Sequence, residues 1–377
     1  MNEQPKITLD IVIPSFRVDT QVLESILQLE TPSGLERKVI IILDDPTNPV
    51  SEKLRKWDEK PDILIIRNGE NLGAGGSRNR GIEETNSDWV LFLDDDVRPK
   101  PNLLHVYAEA IRDRGDSVPG FVGVTRFPEP VNSFSRGVSA SDILTFFDLA
   151  EHNDKMVWGP TSNLLVSRKA IDEHRFRPCF PKAGGGEDVD FSLEIVRTFG
   201  ARFSTEPTAV VYHPWWNNAK RSYRRFFRWG SADCRLPNMH PQHRWRNFPN
   251  TVEMFAILLL VSIPIIAITD VPLAIFVLAA SGLLGGDWMA EWIRLSTMKS
   301  IHNPRTAIES SAVRLSNDLG RFRTVLLSFK PWRIMERFDY GTTSSHGFYG
   351  GDSRWAFLRL VIQLSIISSI MIHYNLL

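Results

Sequence analysis

The 377-residue chain has only two cysteines, Cys179 and Cys234, and no net formal charge. Two thiols without ligand spacing exclude a disulfide scaffold and a thiolate metal centre, and read as reduced thiols of a cytosol-facing domain. No nucleic-acid-binding motif is present, so nucleic acid is not an expected partner. No apolar run reaches the ~20 residues of a full membrane span. The polar opening "MNEQPKITLD" predicts no secretory signal peptide.

The zero net charge conceals two unlike halves. Residues 1–212 hold 25 Lys and Arg against 34 Asp and Glu, whereas residues 213–377 hold 19 against 10. An acidic half suits a cation site or a soluble face. A basic half beside apolar segments suits a surface of anionic lipid.

Four apolar runs in the acidic half read as strands: "ITLDIVI" (7–13), "KVIIILDD" (38–45), "DILIIRN" (62–68) and "DWVLFLDDD" (88–96). They alternate with helical stretches, which predicts βαβ units and a mostly parallel sheet. The runs do not alternate polar with apolar, as expected of strands covered on both faces. Ligands of such sheets bind at the carboxyl ends of the strands. Asp44, Asp45 and Asp94 to Asp96 all fall on that edge.

Three successive carboxylates after a buried strand repel one another. Because side chains alternate along an extended chain, Asp94 and Asp96 share a side. Two carboxylates there suit a hard divalent cation, and a solvated loop with helix-capping acids is the plainer alternative. "LGAGGSRNRGIEET" (72–85) is a glycine-rich loop entering a helix, where backbone amides and Arg78 can meet phosphate. In "KAGGGEDVDFSLEIVRTFGARF" (182–203), Glu187 and Asp188 open a helix. Acids there interact favourably with the helix dipole, or serve as a general base. "TAVVYHPWW" (208–216) is a further strand ending at His213, a candidate metal ligand.

The motifs "DIVIPSF", "ILDDPTN", "ENLGAGGSRNRGI", "WVLFLDDDV", "GGGEDVDF" and "VVYHPWW", taken together in this order and spacing, resemble the family 2 glycosyltransferases over residues 7–230. The resemblance implies a GT-A type nucleotide-binding domain of α/β class and an inverting transfer. The donor would be a nucleotide diphosphate sugar, with UDP favoured, and the cofactor Mn²⁺ or Mg²⁺. It places Pro14, Ser15, Asp45, Arg78, Asp94 and Asp95 on the donor, with Asp44 as a neighbour. It places Asp96 and His213 on the metal. Asp188 becomes the catalytic base, with Glu187 supporting the acceptor site. Arg225, Arg228 and Trp229, in "SYRRFFRWG", would close over the diphosphate or acceptor. That stretch lacks the leading glutamine of processive members, which argues against a processive synthase.

In the basic half, "MFAILLLVSIPIIAIT" (254–269) and "LAIFVLAASGLLGG" (273–286) flank "DVP", which predicts a membrane hairpin, with one kinked or tilted helix as the alternative. "AFLRLVIQLSIISSIMI" (356–372) predicts a further membrane helix. The expected organisation is a catalytic domain over 1–235, a basic linker over 236–251 and a hairpin over 252–286. A cytoplasmic interfacial segment over 287–355 and a C-terminal transmembrane helix over 356–375 complete it. Positive flanks, including Arg244, Arg246, Arg321, Arg323 and Lys330, predict that the catalytic domain faces the cytoplasm. The acceptor expected beside a membrane is lipid-linked, a polyprenyl phosphate or lipid-linked glycan. The alternatives are a soluble or cell-surface polysaccharide acceptor, or a non-catalytic membrane scaffold. A sugar-phosphate nucleotidyltransferase would need a glycine-rich signature with lysine near the N-terminus, and "IPSFRVDT" is not one.

Overall fold

The computed structural model describes residues 6–269, 271–341 and 353–374. It divides the chain into one unit of Met1–Glu129 and Phe146–Asn218, and a second of Pro130–Thr145 and Ala219–Leu377. The division differs from the expected boundary at 235: residues 130–145 and 219–235 belong with the second unit. Residues 1–5, Asp270 of the hairpin junction, residues 342–352 of the expected interfacial segment and residues 375–377 lie outside the described residues.

The first unit is built on a nine-stranded sheet among the described residues. In chain order its strands are β1 Ile7–Ser15, β2 Leu35–Leu43, β3 Ile63–Arg67, β4 Trp89–Leu93 and β5 Arg98–Pro99, then β6 Gly120–Arg126, β7 Lys155–Met156, β8 Asn163–Ser167 and β9 Phe203–Tyr212. The spatial order is β3-β2-β1-β4-β8-β6-β9-β5, with β7 paired to β9. β1 to β4 are mutually parallel. β8 runs antiparallel to both β4 and β6, and β9 rejoins the main direction beside β6. Ile11, Val12 and Ile13 are all buried, as are Ile40, Ile41 and Ile42, so helices cover both faces.

The register fixes the functional edge. Ser15 lies opposite Leu43, and Leu43 opposite Arg67. β4 ends two residues short of these, which brings Asp95 level with Ser15, and Tyr212 at the end of β9 lies opposite Arg126. The residues just past β1, β2, β4 and β9 therefore emerge together.

The second unit is helical. Helix Ser133–Ala140 and helix Arg224–Asp233 each pack on the long helix Pro304–Leu327. A two-stranded ribbon joins Arg244–Arg246 to Glu336–Phe338. Helices Thr251–Ile268, Leu273–Met298 and Ser353–His373, of 18, 26 and 21 residues, are long and apolar enough to cross a membrane. The hairpin's second helix continues unbroken past residue 286 to Met298. The sequence hides this because Asp287 and Glu291 interrupt the apolar run, yet both are buried. Asp287 accepts from Thr251 and Ser311, and Glu291 accepts from Ser310 and pairs with Arg294 and Arg314.

Candidate active site

At the end of β4 the three aspartates take three different roles. Asp95 turns beneath the loop after β1. Its Oδ2 accepts from Ser15 Oγ at 3.0 Å and from the amides of Phe16 and Arg17, each at 3.1 Å. Its Oδ1 meets the Arg17 guanidinium at 2.5 Å. Burial pushes the Asp95 carboxyl above the usual carboxylate range, and the Arg17 charge opposes that shift. Ser15 and Asp95 are thus buried partners that clasp the ends of β1 and β4. Pro14, half-buried, closes β1 one residue before.

Asp94 points elsewhere. It accepts from Arg78 Nη2 at 2.8 Å, while Arg78 Nη1 reaches Glu187 Oε1 at 3.2 Å. Arg78 is buried, with its guanidinium 5.5 Å from the Phe176 ring. It therefore ties the end of β4 to the start of helix Glu187–Phe199. Glu187 also accepts from the Gly185 amide at 2.5 Å. Asp188, half-buried beside it in the first turn of the helix, accepts from the Val189 amide at 2.9 Å. Burial, with the Glu187 charge adding to it, pushes the Asp188 carboxyl up to about 7. A carboxyl with that proton affinity is matched to general-base work near neutral pH.

Asp96 faces His213. The two are 3.3 Å apart, Oδ1 to Nε2. His213 Nδ1 lies 2.6 Å from the Pro214 carbonyl oxygen, which can only accept, so Nδ1 carries the proton. Trp216 Nε1, which can only donate, reaches His213 Nε2 at 3.1 Å, so Nε2 carries a lone pair. Both contacts give the same neutral tautomer. The ring is held flat against Phe127, centroids 4.9 Å apart. The unprotonated Nε2 thus lies 3.3 Å from the Asp96 oxygen with its lone pair accepting from Trp216, a hydrogen bond that a cation held by both groups would replace. This donor set fits a divalent cation, with the other imidazole nitrogen fixed by a carbonyl as in metal-bound histidines.

Past β2, Asp44 is buried and accepts from Asn68 Nδ2 (2.8 Å) and the amides of Leu72 (2.8 Å) and Gly73 (2.9 Å). The first amides of the glycine-rich loop are therefore taken by protein, not offered to phosphate. Gly73 has φ +79°, and a Cβ there would stand 2.5 Å from the Lys182 Cα, so glycine is required. Asp45 lies near the surface, and its Oδ1 accepts from Thr47 Oγ1 (2.6 Å) and the Thr47 amide (2.9 Å). These bonds hold its carboxyl below the usual range.

Arg225, Arg228 and Trp229 lie on helix Arg224–Asp233 of the second unit, where Trp229 meets Phe226 edge to face. Sequence reasoning missed two residues of the first-unit cluster. Arg17 bridges Asp95 and Asp96, at 2.5 and 2.7 Å. A cation two residues after β1, on the edge that carries three acids, was the available signal. Trp216 fixes the His213 tautomer, and its place in "HPWW" alone did not mark it.

Residues 10–175 match the family description Glycosyl transferase family 2. Over 141 residues the chain is 33% identical to an uncharacterized glycosyltransferase of Haemophilus influenzae, covering 32% of this chain and 45% of that one. Over 221 residues it is 23% identical to a putative glycosyltransferase of Bacillus subtilis, covering 56% and 61%. The chain spans about half the length of the curated relatives it matches. A mannosyltransferase of Pyrobaculum calidifontis, solved with GDP-Man and Mn²⁺, aligns at 16% identity and a TM-score of 0.49 over 84% of this chain and 87% of that one.

Proposed function

Because residues 10–175 match the Glycosyl transferase family 2 description, we propose that the protein moves a sugar from a nucleotide diphosphate donor to a lipid-linked acceptor by an inverting displacement. The observation that carries this reading is the Asp96–His213 pair, a carboxylate and a neutral imidazole lone pair 3.3 Å apart at the ends of β4 and β9. Held by these two groups, Mn²⁺ or Mg²⁺ would stabilise the charge that gathers on the leaving nucleoside diphosphate.

The chain's own residues then divide the work. Asp45, beyond β2, is suited to the nucleobase, with UDP favoured, and Pro14 to the wall beside it. Asp94, fixed through Arg78, is suited to the donor ribose. Ser15 and Asp95 support this arrangement from beneath. Asp188 takes the proton from the attacking hydroxyl, and Glu187 holds the start of its helix in place through Gly185 and Arg78. Where the acceptor is an ionised phosphate, Asp188 orients it and accepts no proton. The three apolar helices support action at a membrane. The basic flanks support a catalytic domain on the cytoplasmic side.

The test is nucleotide release by purified full-length protein given UDP-, GDP- and dTDP-sugars with Mn²⁺ or Mg²⁺, with and without membrane lipid. Lipid-stimulated release from one donor, lost in Asp96→Ala and Asp188→Ala, is the expected result. Absence of release from every donor under either metal rejects the reading.

A further inference from the structure

The second unit contains a cleft that the transferase chemistry does not use. Its cavity is about 470 Å³, and it is lined by Arg244, Trp245, Arg246, Lys330, Trp332 and Arg333. Glu336 is the only acid in the lining. That acid is already engaged: Arg333 Nε donates to it at 2.8 Å, and Arg333 Nη2 is spent on the Cys234 carbonyl at 2.9 Å. The buried Arg333–Glu336 pair forms a neutral floor. Arg244 also pairs with the other Glu336 oxygen at 3.9 Å, so Arg246 and Lys330 remain as the cationic rim, beside Arg244 and two indoles. Arg246 donates to the Trp332 carbonyl at 3.3 Å, which fixes the rim to the turn that carries Trp332.

Beside the cleft the surface is apolar. Phe329 is 86% exposed and Trp332 64%, with Leu326 and Leu327 also exposed at the end of helix Pro304–Leu327. Apolar side chains of this size, placed together next to cations, match a ligand that joins an anion to a hydrocarbon chain.

The position of the cleft along the chain indicates where that ligand resides. Arg246 lies five residues before Thr251, where the first apolar helix begins. The ribbon bearing Arg244 and Arg246 is pinned to that helix. Glu253, in its first turn, takes the Arg337 fork at 3.0 and 2.7 Å and the Met335 amide at 2.9 Å. Asn250 and Glu253 complete a reciprocal cap on the same turn. The cationic rim therefore stands at the foot of the apolar hairpin, the level of lipid headgroups when those helices enter a bilayer. Guanidinium groups match phosphate oxygens in geometry, and indole rings favour this interface.

We propose that this cleft binds the phosphate group of a membrane lipid, whose hydrocarbon chain lies against Leu326, Leu327 and Phe329. The cleft shares no residue with the sheet edge; its phospholipid source is independent of the transferase reading, and its prenyl source rests on the lipid-linked acceptor proposed above. Two sources carry this chemistry, an anionic glycerophospholipid of the bilayer and a polyprenyl phosphate.

The experiment is lipid retention by the full-length protein in uncharged detergent, read by native mass spectrometry. The probes are dioleoylphosphatidylglycerol, dioleoylphosphatidylcholine, decaprenyl phosphate and inorganic phosphate. Phosphatidylglycerol is expected to be retained over phosphatidylcholine. Lys330→Gln, at an exposed position, is expected to lower retention about fivefold, and Arg246→Gln with Lys330→Gln about twentyfold. Decaprenyl phosphate that displaces phosphatidylglycerol at equal concentration assigns the cleft to the prenyl source. Failure to displace assigns it to the bilayer phospholipid. Two results overturn the proposal. One is unchanged retention in both variants. The other is full displacement by inorganic phosphate alone, which leaves the apolar surface without a role. Because donor turnover is measured separately, loss of the catalytic reading and loss of this one are distinguishable.

Discussion

In the first unit Asp94 and Asp96 stand past the end of a strand with 32% and 16% of their side chains exposed, and Asp96 faces an imidazole lone pair. In the second unit the Glu291 side chain is wholly enclosed, shared among Arg294, Arg314 and Ser310. Both regions place acids next to arginines. The difference is what the arginines leave over. At the sheet edge Arg17 and Arg78 hold the acids in position and keep charge facing outward. Between the helices every oxygen is consumed, and the acid serves as a fastening. An acid kept partly open carries an unsettled electrostatic cost that a ligand can relieve, whereas a consumed acid does not.

Substitutions that should affect only one region test this division, and the largest effect is expected at Asp96. Asp96→Ala removes a carboxylate that faces both His213 and Arg17. Transfer should fall about a thousandfold or more, since a bound cation supplies several kcal/mol at about 1.4 kcal/mol per tenfold. The melting temperature should hold or rise, because one of three adjacent like charges is gone. If Asp96→Ala instead unfolds the first unit while surviving molecules keep their turnover, Asp96 is a fastening like Glu291 and the distinction fails.

Asp188→Asn comes next, with a loss of about a hundred- to ten-thousandfold in kcat. The pH profile sharpens the test. The Asp188 carboxyl, pushed up to about 7, is protonated below that pH and cannot accept a proton. The kcat/KM of the native enzyme should therefore rise as pH rises through about 7, and the variant should lack that limb. A native profile flat across that range would mean an acceptor already ionised. Stability should move in the opposite sense. A carboxyl whose folded-state pKa exceeds its unfolded value of about 4 destabilises the fold increasingly from about pH 4 to about 7, and fully above it. Asp188→Asn should thus melt above the native protein at pH 8 and converge with it below pH 4.

Arg78→Met is expected to act on stability first. It leaves Asp94 and Glu187 without their shared cation, at a cost of about 3 kcal/mol. Denaturant unfolding followed in the first unit measures this. Unchanged stability would show that the acids are solvated well enough not to need Arg78.

How much of this was legible in the sequence follows from which interactions are local. β1, β2, β3 and β4 announce themselves because each is a continuous apolar run that ends at an edge. The acids at their ends, and His213 after β9, are therefore placed by strand pattern alone. β5 and β7 are two residues long and pair with β9, so they exist only through tertiary pairing. Asp44 and Asp95 looked like site acids from position, yet both are buried under backbone amides, and those amides come from loops distant in sequence. Arg78 was legible as a cation facing charge. That its partners are Asp94 and Glu187, 16 and 109 residues away, was not. The grouping of 130–145 with the second unit rests on helix Ser133–Ala140 packing against helix Pro304–Leu327. No local signal in either helix encodes that contact.

The smallest expected effects come from two glycines that repeat the comparison without charge. A Cβ on Gly81 would overlap a methyl of Val12, where the glycine-rich helix lies on β1. A Cβ on Gly230 would overlap the Asn317 carbonyl oxygen, where helix Arg224–Asp233 crosses helix Pro304–Leu327; across the same crossing, Gly320 faces the Phe227 carbonyl. The obstacle differs in kind. Val12 offers a side-chain methyl 2.3 Å from the added Cβ, which must move by about 1 Å while its backbone stays in place. A helical carbonyl moves only with its helix, which here is held on both sides by glycine. Gly230→Ala should therefore cost about 3 kcal/mol and Gly81→Ala about 1 kcal/mol, the two ends of the overpacking range. Gly81→Ala should also leave the KM for the donor unchanged, because the Arg78–Asp94 bond lies one helical turn away and does not depend on that methyl. Equal costs at the two positions would mean that the helix crossing is as yielding as the sheet surface, and the second unit would then owe its rigidity to its buried ion pairs alone.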